Sequence, residues 1–210
     1  MTKIKRILLA AVAVVLTMNA AGRESTRLPN LFNEVDQVAM NAWVDSVFNS
    51  MSPEARIGQL IIAAVTPSGN DATRELVRRL VTRNLVGGLI YENSSIADQA
   101  AVTNLAQSLA TVPLMITIDG EWGLGMRLKE VPNFQRNLIL GALDNDKLLY
   151  DYGREVARQC RRMGIQVNFA PVLDVNDNPL NPVIGDRSYG ESPELVARHA
   201  IVKCWPFPVR

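Results

Sequence analysis

Short apolar runs alternate with amphipathic helical segments along this chain, and that alternation restricts the fold more than any other feature. The apolar runs lie at residues 60–65, 89–91, 114–118 and 167–172. Helical periodicity occupies residues 71–85 and 144–163, and helices also begin at Ser52, Ser95 and Ser192. Strands that are apolar on both faces and alternate with helices are typical of a parallel sheet covered by helices. The sequence therefore predicts an α/β fold.

Two parallel architectures fit this alternation: an open doubly wound sheet and a (β/α) barrel. A dinucleotide-binding sheet carries G-x-G-x-x-G directly after its first strand, but residues 66–69 read Thr-Pro-Ser-Gly. Gly120, Gly123 and Gly125 follow the third run in a different spacing. We therefore predict a barrel. A complete (β/α)8 barrel needs roughly 250 residues, so four β/α units amount to its N-terminal half, and the barrel is expected to be truncated.

The N-terminus has the layout of a secretory signal peptide at residues 1–21. Lys3, Lys5 and Arg6 precede an apolar stretch at residues 7–16, and small and polar residues follow. The stretch is too short to cross a bilayer as a helix. We expect export to the periplasm or exterior of a bacterium, with no membrane span after cleavage. Residues 22–50 are predicted to form a linker and an N-terminal helix.

Charge and composition exclude several classes of partner and site. Removal of three positive charges with the signal peptide changes the net charge from +1 to −2, which argues against nucleic acid as a partner. Two cysteines and one histidine cannot complete a zinc site, and we expect no metal or cofactor. The pairing of Cys160 and Cys204 stays open. His199 lies on a helix face and is expected to be structural.

Charged side chains follow the apolar runs at the positions where a barrel places its active site. Asp119 follows the third run directly, and the next loop carries Glu121, Trp122 and Arg127. A long loop after the fourth run leads to Arg187. Carboxylates accept hydrogen bonds from hydroxyl groups and guanidinium groups donate to oxygens, so these residues suit a neutral polyhydroxylated ligand. The indole of Trp122 offers an apolar wall to a sugar ring.

Three segments together resemble glycoside hydrolase family 3. They read Ile-Asp-Gly-Glu-Trp-Gly at residues 118–123, Asn-Phe-Ala-Pro-Val-Leu-Asp-Val at 168–175, and Asn-Pro-Val-Ile-Gly-Asp-Arg-Ser-Tyr-Gly-Glu at 181–191. The helix entry at residues 51–60 resembles the opening of the same family. The resemblance is closest to the bacterial β-N-acetylglucosaminidases (β-hexosaminidases) of the family, and it covers residues 51–201, which we expect to form a partial family 3 barrel.

This resemblance implies a glycosidase that releases β-linked N-acetylglucosamine from nonreducing ends by a retaining mechanism. A β-glucosidase of the same family is the alternative. The resemblance assigns substrate binding to Asp119, Arg127 and Arg187, while Asp174 is expected to shape the floor of the site. It leaves the role of Glu121 open and implies a carbohydrate as the partner, without a cofactor.

One part of the family pattern has no counterpart in this sequence. The hexosaminidase branch carries a Lys-His-Phe-Pro-Gly-His-Gly-like loop with the acid/base histidine, and its nucleophilic aspartate follows later in the chain. We expect both groups beyond residue 210, because residues 202–210 form an atypical tail that reads Val-Lys-Cys-Trp-Pro-Phe-Pro-Val-Arg. The sequence thus predicts a fragment that is inactive by itself. A sugar-binding module is a further alternative, besides the fragment and the β-glucosidase.

Overall fold

A computed structural model describes residues 36–204 of the protein. The predicted signal peptide, linker residues 22–35 and tail residues 205–210 lie outside the described residues. The chain divides into two compact units, residues 1–40 and residues 41–210. Of the first unit only residues 36–40 are described, and they contain the start of the first helix.

Seven α-helices, four β-strands and two short 3-10 helices make up the described part of the chain. In chain order they are α1 Gln37–Ser50, α2 Pro53–Gly58, β1 Ile62–Val65, α3 Asp71–Thr82, β2 Gly88–Tyr91, α4 Ile96–Leu109, β3 Met115–Ile118, a 3-10 helix at Leu124–Met126, α5 Asn137–Gly141, α6 Asp146–Arg162, β4 Val167–Asn168, a 3-10 helix at Gly185–Arg187, and α7 Pro193–Cys204. Within residues 36–204, no helix combines the length and apolarity needed to cross a membrane.

The four strands form one parallel sheet in the order β1-β2-β3-β4. The order in space equals the order in sequence, as between consecutive strands of a barrel, whereas a doubly wound sheet reverses its order at a switch point. Val65, Tyr91 and Ile118 lie side by side in the register. Strands β1, β2 and β3 therefore end at one edge, and the residues that follow them are brought together there. The predicted parallel α/β sheet is confirmed.

Local sequence explains where most helices begin. The side chains of Ser52, Asn70, Ser95 and Asn145 each accept a hydrogen bond from the backbone N–H three residues later, which satisfies a donor that the first helical turn leaves free. Ser95 Oγ also donates to the Asp98 carboxylate at 2.8 Å. The predicted beginning of a helix at Ser95 is confirmed.

Two predicted boundaries are wrong. Helix α3 ends at Thr82 rather than at residue 85, because Asn84 adopts φ 52° and the Leu85 N–H returns to the Leu80 carbonyl at 3.0 Å. Strand β4 has two residues instead of the six predicted at residues 167–172. Its ladder stops after the Phe169 N–H donates to Ile118, since Pro171 has no N–H to continue it.

The core lies between the sheet and its helices. Leu89, Ile116 and Ile118 of the central strands are fully buried, and helix α6 packs against α7. Gly153 makes this close approach possible, because a Cβ at that position would lie 2.1 Å from the Lys203 carbonyl oxygen. Both cysteines are free, with Cys160 buried in the core.

Candidate functional site

Asp119 and Arg127 meet at the C-terminal edge of the sheet, as predicted for residues at the ends of parallel strands. Arg127 Nη2 donates to Asp119 Oδ2 at 3.1 Å, and Arg127 Nε donates to the Asp119 carbonyl at 3.3 Å. Arg127 Nη1 donates to Glu92 Oε2 at 3.3 Å. The Arg127 side chain is 18% exposed, against 36% for Asp119 and 45% for Glu92. The guanidinium is thus largely covered while both carboxylates face solvent.

Arg187 forms a second ion pair, with Glu121. Its Nη2 and Nε donate to the two carboxylate oxygens at 2.7 and 3.0 Å, and Nη1 donates to the Val183 carbonyl at 3.2 Å. The hydrogen bonds that Arg187 donates to Glu121 raise the pKa of Arg187 above its ordinary value. A guanidinium has five N–H groups, and the contacts above use three of them. One N–H group on each of the two terminal nitrogens of Arg187 therefore has no partner in the described part of the chain.

Burial separates the two members of this pair. The Glu121 side chain is 8% exposed and that of Arg187 is 33% exposed. Both oxygens of Glu121 are occupied by Arg187, so the role that the sequence left open is one of bracing Arg187. Arg187 itself is 33% exposed, and two of its N–H groups have no partner among residues 36–204.

A buried lysine that the sequence analysis did not single out fixes the backbone of this pair. Lys203 Nζ donates to the Glu121 carbonyl at 2.8 Å and to Asn137 Oδ1 at 3.1 Å. Asn137 Nδ2 in turn donates to the Arg187 carbonyl at 2.8 Å. Burial lowers the pKa of Lys203 to about 8. The recurrence of Val196, Ala200 and Lys203 at helical spacing could have indicated that the lysine points inward.

Hydrogen bonds between side chains and backbone hold the loop after β3 against β4 and close the segment that follows β4. Asn168 Oδ1 accepts a hydrogen bond from the Gly120 N–H at 2.8 Å, next to Asp119. Asp174 is exposed, and its carbonyl accepts a hydrogen bond from Ser188 Oγ at 2.6 Å, directly after Arg187. The predicted site residues Asp119, Arg127 and Arg187 therefore sit in loops that are tied to one another, with Asp174 contributing through its backbone.

Trp122 lines a cavity of about 330 Å³ beside these loops. The guanidinium of Arg136 lies over its ring, 4.4 Å from the centroid, and donates to both carboxylate oxygens of Asp186 at 2.8 and 3.0 Å. One face of the indole is therefore already covered, and only the other can serve as the predicted apolar wall.

His199 is a core residue, as expected from its place in the helix. It is 1% exposed, and its ring nitrogens lie 3.0 Å from the Leu195 carbonyl oxygen and 3.2 Å from that of Leu143. Its ring packs near Tyr189. The imidazole therefore has no access to a ligand at the sheet edge. Among residues 36–204, no group of three His, Cys, Asp or Glu side chains is arranged to hold a metal ion.

Sequences similar to this chain include proteins named as glycosidases. The profile described as "Glycosyl hydrolase family 3 N terminal domain" matches residues 53–203. The "Beta-N-acetylglucosaminidase/beta-glucosidase" of Cellulomonas fimi is 30% identical over 156 residues, which cover 74% of this chain and 27% of that protein. The "Beta-hexosaminidase LpqI" of Mycobacterium tuberculosis is 30% identical over 158 residues, covering 71% of this chain and 38% of the relative.

Two solved structures with a similar fold are a member of the same family and a more distant protein. A family 3 β-N-acetylglucosaminidase from Paenibacillus sp. str. FPU-7 superimposes with a TM-score of 0.64 at 36% identity, covering 75% of this chain and 31% of that structure. The structure titled "Beta-glucoside phosphorylase BglX bound to 2FGlc" shares the fold, with a TM-score of 0.71 at 24% identity, covering 79% of this chain and 30% of that structure.

These matches assign the parallel sheet and its helices to a more specific architecture. The architecture corresponds to the N-terminal, TIM-barrel-like domain of the matched proteins. The chain spans 27% and 38% of the length of the two curated relatives named above. Because the matched profile covers residues 53–203, which are most of the sequence, this chain belongs to glycoside hydrolase family 3.

Proposed function

We propose that this protein serves the hydrolysis of β-linked N-acetylglucosamine from the nonreducing ends of glycans, by a retaining mechanism. The observation that carries the proposal is the pair of arginine–carboxylate contacts, Arg127–Asp119 and Arg187–Glu121, at the C-terminal edge of the sheet. Barrel enzymes bind their substrates at this edge. Relatives at about 30% identity are named for β-N-acetylglucosaminidase or β-hexosaminidase activity.

Asp119, Arg127 and Arg187 form the sugar-binding group in this proposal. The exposed carboxylate of Asp119 accepts hydrogen bonds from sugar hydroxyls, and the free N–H groups of Arg187 donate to ring-substituent oxygens. Arg127 keeps Asp119 in position, and the backbone of Asp174 shapes the neighbouring loop. Recognition by fixed charged groups is selective, because a ligand without the matching hydroxyl leaves a desolvated group unpaired.

The acid/base histidine and the nucleophilic aspartate of the family are, in this proposal, not supplied by residues 1–210. Support comes from His199, whose ring is buried and contacts two backbone carbonyls. A retaining glycosidase needs two catalytic groups on opposite sides of the scissile bond. In this proposal, residues 1–210 supply the sugar-binding part of the site, and the 210-residue chain by itself does not cleave the sugar.

The test combines a turnover assay with a binding measurement on the 210-residue chain. We expect no release of p-nitrophenol from p-nitrophenyl N-acetyl-β-D-glucosaminide, and we expect binding of N-acetylglucosamine in isothermal titration calorimetry. Arg187→Ala should abolish this binding, whereas Glu75→Gln, an exposed change on α3, should leave it unchanged. Turnover comparable to that of a complete relative would contradict the assignment of the catalytic groups. Absence of binding would contradict the sugar-binding role.

A second candidate function is β-glucoside hydrolysis. The specific observation is that the Cellulomonas fimi relative is named for both β-N-acetylglucosaminidase and β-glucosidase activities. Titration of glucose under the same conditions separates the candidates. Tighter binding of N-acetylglucosamine supports the first, and tighter binding of glucose supports the second.

The proposed location is outside the cytoplasm, on the basis of the signal-like residues 1–21. Expression of the tagged chain in a bacterium, followed by fractionation and N-terminal sequencing, tests it. A mature N-terminus near residue 21 in the periplasmic fraction supports export, and an intact N-terminus in the cytoplasm contradicts it.

A further inference from the structure

Glu92 occupies the same place after β2 that Asp119 occupies after β3. The register pairs Tyr91 with Ile118, so the next residue of each strand leaves the sheet edge beside the other. Neighbouring strands lie about 4.8 Å apart. The Glu92 N–H donates to the Val65 carbonyl at 3.0 Å, which holds the start of its loop in line with the sheet. Two carboxylates therefore stand side by side at the edge assigned to the sugar.

Arg127 holds both of these carboxylates. Its two terminal nitrogens each contact one of them, Nη1 with Glu92 at 3.3 Å and Nη2 with Asp119 at 3.1 Å. Its backbone is fixed as well, because the Ser94 N–H donates to the Arg127 carbonyl at 2.9 Å. Ser94 also forms an isolated parallel bridge with Leu128. Arg127 is thus attached by side chain and backbone to the loop that carries Glu92.

Each carboxylate keeps one oxygen free for a ligand. Glu92 uses Oε2 and Asp119 uses Oδ2 toward Arg127, and neither Glu92 Oε1 nor Asp119 Oδ1 has a hydrogen-bond partner among residues 36–204. Both side chains are more than a third exposed, unlike the buried Glu121. An ionised carboxylate oxygen is an acceptor only, so the free oxygens require donors, and hydroxyl groups of a neutral ligand provide them.

We propose that Glu92 is a second hydroxyl-accepting residue of the site, and that Glu92 and Asp119, held by Arg127, bind two hydroxyls of one sugar ring. The identity of the ring rests on the proposed function. The contrasting role for Glu92 is an exposed ion pair with Arg127 alone, and such pairs contribute little by themselves. The two roles predict different results with deoxy sugars. If Glu92 accepts a hydroxyl, Glu92→Ala should not weaken the binding of a sugar that lacks this hydroxyl; if Glu92 only pairs with Arg127, the loss of affinity should be the same for every sugar.

Isothermal titration calorimetry of the 210-residue chain with N-acetylglucosamine and its 3-deoxy, 4-deoxy and 6-deoxy analogues tests this proposal. Loss of a hydrogen bond to a charged acceptor corresponds to about ten- to hundredfold in affinity, and we expect a loss of this size for Glu92→Ala. Glu92→Gln, which keeps a neutral acceptor oxygen, should lose less. One deoxy analogue should bind the original chain and Glu92→Ala equally, because it lacks the hydroxyl that Glu92 accepts. Glu75→Gln is the matched control.

Two results would overturn the role of Glu92. The first is unchanged affinity in Glu92→Ala. The second is an equal loss with N-acetylglucosamine and all three analogues, which would show that Glu92 acts only through Arg127. Binding of glucose in place of N-acetylglucosamine, with the same dependence on Glu92, would contradict the proposed amino sugar and keep the assignment of Glu92. A chain that binds neither sugar overturns both proposals.

Discussion

The buried amine of Lys203 makes the stability of this protein depend on pH. Its amine lies 4.6 Å from the ring centroid of Tyr152 and 6.0 Å from that of Tyr189, and it donates to the Glu121 carbonyl. Burial lowers its pKa from 10.5 to about 8. Between these two values the unfolded chain carries the proton and the folded chain has released it. The free energy of unfolding therefore rises with pH in this window, and the destabilising contribution is fully present below pH 8.

The size of the effect follows from the difference between the two pKa values. One pH unit corresponds to about 1.4 kcal/mol when one proton separates the states, so the full window from pH 8 to 10.5 amounts to about 3 kcal/mol. Cys160 acts in the opposite direction, since burial raises its pKa from 9.0 to about 11, and its contribution to stability falls as pH rises above 9. The contribution of Lys203 must therefore be isolated by a variant.

Urea denaturation followed by circular dichroism at pH 7.5, 8.5 and 9.5 provides the measurement. The free energy of unfolding of the original chain minus that of Lys203→Met should increase with pH, by about 1 kcal/mol per unit above pH 8. Lys129→Met, which alters an exposed lysine, should show no such slope in the difference. A difference that stays constant across the three pH values would refute the buried-amine reasoning.

Three shorter predictions concern packing, capping and the site. Gly153→Ala should lower the free energy of unfolding by about 1–3 kcal/mol, because its Cβ would collide with the Lys203 carbonyl oxygen; urea denaturation measures it. Ser95→Ala should cost about 1 kcal/mol by removing the cap of α4, measured in the same way. Glu121→Gln should weaken N-acetylglucosamine binding in calorimetry, because Arg187 loses its ionised partner.

Each of these predictions has a matched control or a result that would contradict it. A loss in Gly153→Ala smaller than about 1 kcal/mol would contradict the close-approach argument. Ser108→Ala, on the exposed face of α4, should change stability less than Ser95→Ala. Glu75→Gln removes an exposed charge away from the site. If Glu75→Gln weakens sugar binding as much as Glu121→Gln does, the effect of Glu121→Gln comes from net charge and not from its contact with Arg187.

The parts of the fold that the sequence predicts correctly depend on local information. The cap at Ser95 needs only the residues of one helical turn, and the alternation of strands and helices needs only periodicity. The predicted length of strand β4 is wrong because that length depends on a neighbouring strand. The ladder with β3 ends after Phe169, and the Asn168 side chain contacts Gly120. An apolar run cannot report how many of its residues find a partner strand.

The candidate site divides in the same way. Asp119 and Arg187 are identifiable from their position after apolar runs and from motif resemblance. The pairing of Glu121 with Arg187 joins residues 66 positions apart, and no local pattern contains it. Lys203 is the extreme case, since helical spacing indicates that it points inward while its partners, the Glu121 carbonyl and Asn137, come from two other segments.

Chemically similar residues of this site differ in burial, and therefore in the contacts that they can make with a ligand. Glu121 and Glu92 are both glutamates that contact an arginine near a strand end, yet Glu121 is enclosed and has both oxygens engaged. Glu92 is exposed and uses one oxygen. A ligand can therefore compete for Glu92 and Asp119, but reaches the second pair only through the free N–H groups of Arg187. The edge of the sheet thus presents acceptors on one side and donors on the other, an arrangement that a sugar ring, with hydroxyls able to play both parts, can satisfy at once.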